Sequence, residues 1–233
     1  RKIEHGPENA AIEGAKRSWA ENLCNDRVNN RKSLNANDKL GSISSHTNPR
    51  NPMRVSAKPF KSYPWYLKPF FWNQKRKYGE VLNPGLLWGR VPRIFMAVAA
   101  LFGAFESRRS TLAPALRSLI TVRVSQINWC EFCVDINSRL LAERCGTMDK
   151  VMAVEHWRES DLFNDRERVV LDYVESVTYS DRQVKDEQVE ALHRHFNEDA
   201  IVELTGMICF QNMASKFNAA LDVPAQGFCE RPR

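Results

Sequence analysis

Apolar residues recur at helical spacing along this chain, but only from about Pro84 onward. The run Ile94–Phe105, "IFMAVAALFGAF", is apolar on every face and predicts a buried core helix, with Pro92 acceptable near its start. Twelve residues of helix reach about 18 Å, short of the ~30 Å of a bilayer core. A second helix is expected over "PALRSLITVRVSQIN", where Leu116, Leu119, Ile120 and Ile127 share a face. A third runs from Cys130 to Arg144 and is stopped by Gly146. Asp165 is expected to cap "RERVVLDYVESVTY", a further helix covers Asp186 to Phe196, and "EDAIVELTGMICFQNMASKFNAAL" forms a long last helix ending before Pro224. No β-branched alternation predicts a sheet, so residues 84–229 read as one all-α, multi-helix domain.

Upstream the pattern changes. Residues 1–52 are rich in Asn, Ser and charge and carry almost no periodic apolar signal, so they are expected to form an unstructured extension. The first methionine is Met53, which is read as the native start. Residues 53–83 form an arm in which Phe, Trp and Tyr alternate with Pro and Lys, and Pro59, Pro64 and Pro69 argue against one continuous helix. The expected role of the 58–79 stretch is packing on the domain or a neighbouring subunit, rather than membrane contact.

Charge sharpens this. The net charge is +6, and Met53–Gly79 alone holds seven basic residues and no acidic one. Basic residues confined to one arm make a poor nucleic-acid surface, so no nucleic-acid partner is expected. Six cysteines scattered over 233 residues do not form a secreted disulfide framework, and the first fifty residues contain no apolar signal segment. A reducing, cytoplasmic setting follows.

The chemistry concentrates in "NWCEFCVDINSR", residues 128–139. Cys130 and Cys133 stand three apart, on neighbouring positions of one helical face. A cysteine at a helix start meets unpaired N–H groups and the positive dipole end, which favour the thiolate that peroxide reduction needs. A second thiol nearby would resolve a sulfenic acid to a disulfide. Zinc competes weakly: a structural site wants four ligands, and Cys145, His156, Cys209 and Cys229 form no second pair. No metal and no cofactor beyond the redox disulfide are expected. Two inert core cysteines are the remaining alternative.

The segment "LRSLITVRVSQINWCEFCVDINSRLLAERCG", Leu116–Gly146, resembles the carboxymuconolactone decarboxylase / alkyl hydroperoxidase D-like superfamily, and "FQNMASKFNAALDVP", Phe210–Pro224, is similar to that family's last helix. The resemblance covers about Leu86–Phe228. It implies an all-α fold, assembly into trimers or hexamers, and a thiol-dependent peroxidase or disulfide oxidoreductase. The substrate would be a hydroperoxide or a disulfide, with a thiol electron donor. It further implies that Cys133 is the attacking thiol and Cys130 the resolving one. Peroxidatic members carry a Glu twelve residues before the first cysteine and a His four after the second; here those positions hold Ser118 and Asn137. Neither side chain takes up a proton near neutral pH, and a general base is worth typically ~10²–10⁴-fold, so activity is expected to be weak. Glu131, Glu106 or Asp135 would have to compensate, although Asp135 points about 160° away from Cys133 around a helix. Arg123 reads either as a charge near the thiols or as an interhelical ion pair. Asn212 and Asn218 either line a pocket or join helices. The alternatives are a decarboxylase-type member, against which the dithiol argues, and a non-catalytic oligomeric scaffold.

Overall fold

The structure is a computed structural model that describes residues 53–229; the expectations for residues 1–52 lie outside them. Nine α-helices occupy the described residues, with no strand among them. They are α1 (Lys68–Tyr78), α2 (Asn83–Gly89), α3 (Pro92–Phe105), α4 (Pro114–Ile127), α5 (Glu131–Cys145), α6 (Asp149–Ala153), α7 (Asp165–Thr178), α8 (Asp186–His193) and α9 (Glu198–Ala220). Short 3₁₀ turns precede α1, and another, Val154–Glu159, links α6 to α7.

Local chemistry sets most of the boundaries. Proline stands in the first turn of α1, α2, α3 and α4, where its missing N–H costs nothing and its φ suits the helix. Gly146 ends α5 in the left-handed region at φ 78°, as a side chain would not readily allow. The start of α7 lies one residue from the expected cap. Asn164, not Asp165, accepts from the Glu167 N–H at 3.0 Å, while the Glu167 carboxylate accepts the Asn164 N–H at 3.1 Å.

Helix α4 is central. It packs against α5, α7 and α9, and Leu116, Leu119, Ile120, Val122 and Val124 all lie inside the main core. That core continues through Val170, Leu171 and Val174 of α7 and Leu204, Met207 and Ile208 of α9.

Helix α3 corrects the sequence reading. It is not buried: only Phe95 is fully covered, and Ile94, Met96, Leu101 and Phe102 (48% exposed) face outward. An all-apolar helix satisfies the same pattern whether neighbours of its own chain or of another cover it. Here α3 is gripped along one stripe. Its Phe95 ring meets Phe70 and Phe71 at 5.5 and 5.6 Å, and Phe105 meets Phe210 of α9 at 5.5 Å. Gly206 leaves room for that approach, since a Cβ there would stand 3.2 Å from the Phe105 ring.

The arm is ordered against the domain. Tyr63, Leu67 and Phe71 are buried with Phe95, and the Tyr63 hydroxyl donates to the Leu86 carbonyl at 2.9 Å. Trp65 (78% exposed) and Trp72 are left outside. No described helix is long and apolar enough to cross a membrane.

Candidate functional site

The dithiol sits where α4 turns into α5. Trp129 makes the turn in the left-handed region, φ 55°, a conformation that costs a bulky residue about 1–3 kcal/mol. It is held from both sides. The Asn128 amide donates to Asn212 Oδ1 at 2.8 Å and Ser215 Oγ at 2.9 Å on α9, and the Cys130 N–H donates back to the Ser125 carbonyl at 3.2 Å. The turn therefore delivers Cys130 to the N-cap of α5 rather than into its first turn. Its sulfur accepts the Cys133 N–H at 3.2 Å, replacing the oxygen of an ordinary cap.

Both thiols are free and buried. Leu87, Phe132, Ile136, Val223 and Phe228 close around them, and Trp88 stacks on Phe217 of α9 at 3.6 Å. The segment after α9 supplies part of this cover. The Asp135 carboxylate accepts the backbone N–H groups of Gln226, Phe228 and Cys229 at 2.8 to 2.9 Å. Asp135 is thus a buried clamp on residues 226–229, consistent with its pointing away from Cys133.

Burial decides the state of Cys130. Removal from water disfavours its thiolate, and the Cys133 thiol beside it adds to the same push. The Cys133 N–H and the Asn218 amide oppose that push and lose. The helix N-terminus, expected from sequence to favour a thiolate, is outweighed at Cys130, which stays protonated. Cys133 has a polar partner on the other side: Asn218 of α9 donates from Nδ2 to Cys133 Sγ at 3.2 Å.

The two altered relay positions lie elsewhere in the hydrogen-bond pattern. Ser118 Oγ accepts from Arg144 at 2.8 Å, and Arg144 also pairs with Glu106 at 2.7 Å, which commits Glu106 to that pair. Asn137 donates to Ser125 Oγ at 3.3 Å, and Gln211 donates to the same oxygen at 3.0 Å. Glu131 occupies the first turn of α5, half-buried. Arg123 follows the ion-pair reading: its Nε and Nη2 hold Glu175 Oε1 of α7 at 3.0 and 2.6 Å. Asn212 joins helices through Thr178 and Asn128. Among the described residues, no three His, Cys, Asp or Glu side chains gather as a metal site.

Sequence reasoning underrates Asn218 and does not foresee Trp129 or Phe228. The Phe-Asn landmark points to Asn218, but nothing in spacing along α9 says which distant sulfur its amide meets.

A helical bundle carrying a buried CxxC pair at the start of one helix defines an all-α dithiol class. The comparisons agree with the all-α fold and add the family. Residues 92–176 match the model of the carboxymuconolactone decarboxylase family. The chain is 45% identical over 174 residues to the protein YnjA of Escherichia coli, covering 75% of this chain and 96% of that one. Two solved structures share the fold at 21% identity. One is an alkylhydroperoxidase AhpD core, peroxidase-related protein from Ralstonia eutropha, with TM-score 0.69 over 78% of this chain and 98% of that one. The other is a peroxidase-related protein from Silicibacter, with TM-score 0.72 over 81% of this chain and 100% of that one. The chain belongs to the carboxymuconolactone decarboxylase / alkyl hydroperoxidase D-like superfamily.

Proposed function

We propose that the chain is a thiol-dependent peroxidase of modest rate that cycles Cys130 and Cys133 between dithiol and disulfide. The observation that carries the reading is the arrangement of the pair. Cys130 caps α5 and receives the Cys133 N–H, while a buried amide from another helix donates to Cys133 Sγ. Inert core cysteines have no need of polar partners on both sulfurs.

In the cycle, the Cys133 thiolate attacks the hydroxyl oxygen of ROOH. The O–O bond breaks, the sulfur is oxidised to a sulfenic acid, and RO⁻ leaves as the reduced product. Cys130, kept protonated by burial, can give its proton to RO⁻, producing ROH. The resulting Cys130 thiolate attacks the sulfenic sulfur and forms the disulfide; the departing hydroxide becomes water by taking from solvent the equivalent of the proton that Cys133 released. Two equivalents of an external thiol restore the dithiol. Ser118 and Asn137 supply no base, and Glu106 is held by Arg144, so the polar group that reaches Cys133 is the Asn218 amide and not a proton relay. No metal or organic cofactor enters this cycle. The exposed face of α3 supports a homo-oligomer, in which a second copy covers it.

The test is a titration of free thiols before and after stoichiometric hydroperoxide at pH 7–8. Wild type should lose two thiols over minutes; Cys133→Ser should lose none, and Cys130→Ser should stop at a sulfenic acid trapped by dimedone. Wild type that keeps both thiols would sink the peroxidase reading, and reduction by dithiols without any peroxide response would mark a disulfide reductase.

A further inference from the structure

Asn218 is 3% exposed, and only half of its amide is used. Its Nδ2 donates to Cys133 Sγ at 3.2 Å, while its Oδ1 is buried with no hydrogen-bond partner among the described residues. A buried amide oxygen without a donor costs about 1–3 kcal/mol. The neighbours do not relieve it. Leu87, Phe132, Ile136, Val223 and Phe228, the buried side chains packed with the two cysteines, carry no hydrogen-bond donor, and the Tyr78 hydroxyl at the edge of that cluster is not bonded to Oδ1. Other amides on α9 and α5 have partners of their own: Asn212 bonds to Thr178, and both Gln211 and Asn137 to Ser125.

We infer that Asn218 Oδ1 is the acceptor for the O–H of a hydroperoxide, so that one amide both holds the Cys133 sulfur and places the oxygen it attacks. This deepens the proposed peroxidase function and rests on it. The two halves of one rigid amide lie about 2.3 Å apart, so a hydroxyl hydrogen-bonded to Oδ1 is carried to the side of the sulfur that Nδ2 holds. The substrate class follows from the polarity of the vacant group. An acceptor selects a ligand that brings a donor, which ROOH has and a disulfide lacks. In the reaction the hydroxyl oxygen moves from RO to Cys133 Sγ and keeps its hydrogen, so the bond to Oδ1 persists from bound ROOH to the sulfenic acid. No further oxidant or base is needed for that step. Asn218 is a substrate-positioning residue, and α9 carries it to the thiols of α5.

Two small electrophiles separate this role from a structural one. tert-Butyl hydroperoxide carries the O–H; methyl methanethiosulfonate reacts with the same thiolate and carries none. Rates with both are measured at a pH on the upper plateau of each variant's own profile, in the Cys130→Ser background. Asn218→Leu, of the same shape, should lose ~10–100-fold with the hydroperoxide and less than threefold with the thiosulfonate. Asn218→Asp keeps an acceptor and should hold the ratio of the two rates within threefold of wild type. The ratio is read within one protein sample, so a smaller folded fraction does not disturb it. Equal losses with both reagents in Asn218→Leu, or no loss with either, would overturn the assignment while leaving the peroxidase reading in place. A wild type that reacts with the thiosulfonate but not with the hydroperoxide would overturn both.

Discussion

Glu175 offers the sharpest test of how the bundle is held together behind α4, and of what Arg123 does. It is a carboxylate only 2% exposed, and it accepts from Arg123 at 2.6 and 3.0 Å, from the Trp157 indole at 2.9 Å, from Arg158 at 2.8 Å and from Arg182 at 3.1 Å. The network ties α4, α7 and the Val154–Glu159 turn through one side chain. Burial alone would raise the Glu175 pKa. The Arg123 charge, with hydrogen bonds from Trp157 and Arg158, more than offsets it and lowers the value from 4.5 to about 2. At ~1.36 kcal/mol per unit, that difference is worth about 3 kcal/mol of folding stability. Because the folded pKa is depressed, this contribution is complete above pH 4.5 and declines as pH falls toward 2. Glu175→Gln removes the charge, keeps the shape and leaves Arg123 buried without a counter-ion, which costs about 3–5 kcal/mol. For a chain of this size that is a fall in Tm of about 6–20 °C at pH 7. Calorimetry at pH 7 and pH 3 reads it: the gap between wild type and variant should be widest at pH 7 and shrink at pH 3. A gap under 2 °C at pH 7, or one that widens in acid, would refute the reasoning. The same variant reports on Arg123. Its bonds run to Glu175 and Gln126 and not to a sulfur, so the thiol oxidation rate at 25 °C should stay within threefold. A change above tenfold would return Arg123 to the dithiol site.

Two other perturbations test the surfaces around the site. Leu101→Lys combined with Phe102→Glu puts charge on the exposed face of α3 and should convert an oligomer into a monomer of unchanged helicity, read by light scattering; a wild type already monomeric at tens of micromolar would refute the covering by a second copy. Asp135→Ala removes the acceptor of three backbone N–H groups at 226–229. Each such charged bond is worth ~1.5–3 kcal/mol, so labelling of Cys130 and Cys133 by methyl methanethiosulfonate should rise about 100-fold or more. Unchanged labelling would show that this segment does not control access to the sulfurs.

The helices are legible in the sequence because their signals are local. Proline in the first turn of α3 and α4, Gly146 after α5, and 3.6-residue periodicity through α7 act within one or two turns of chain. The cap of α7 falls one residue from its expected place because Asn164 and Asp165 are both good caps, and only the Glu167 reach-back separates them. Helix α3 departs from its pattern for a different reason. Apolar pattern measures the tendency to leave water, and a single chain need not satisfy it.

The site divides along the same line. The CxxC spacing and its helix are local, so the amino-acid order alone places Cys130 and Cys133 together. Part of what surrounds them comes from far along the chain: Asn218 is 85 residues from Cys133, and the backbone groups that Asp135 clamps are more than 90 residues away from it. Ser118 and Asn137 read as a broken relay when they are compared with positions near the cysteines in sequence. In three dimensions their hydrogen bonds serve Arg144 and Ser125, and the polar group that reaches Cys133 enters from α9 instead. Loss of a basic relay therefore does not leave the sulfur in a purely apolar setting. That donor reaches Cys133 Sγ without being able to move a proton, so the surroundings of this sulfur are set by a fixed hydrogen bond and not by a relay.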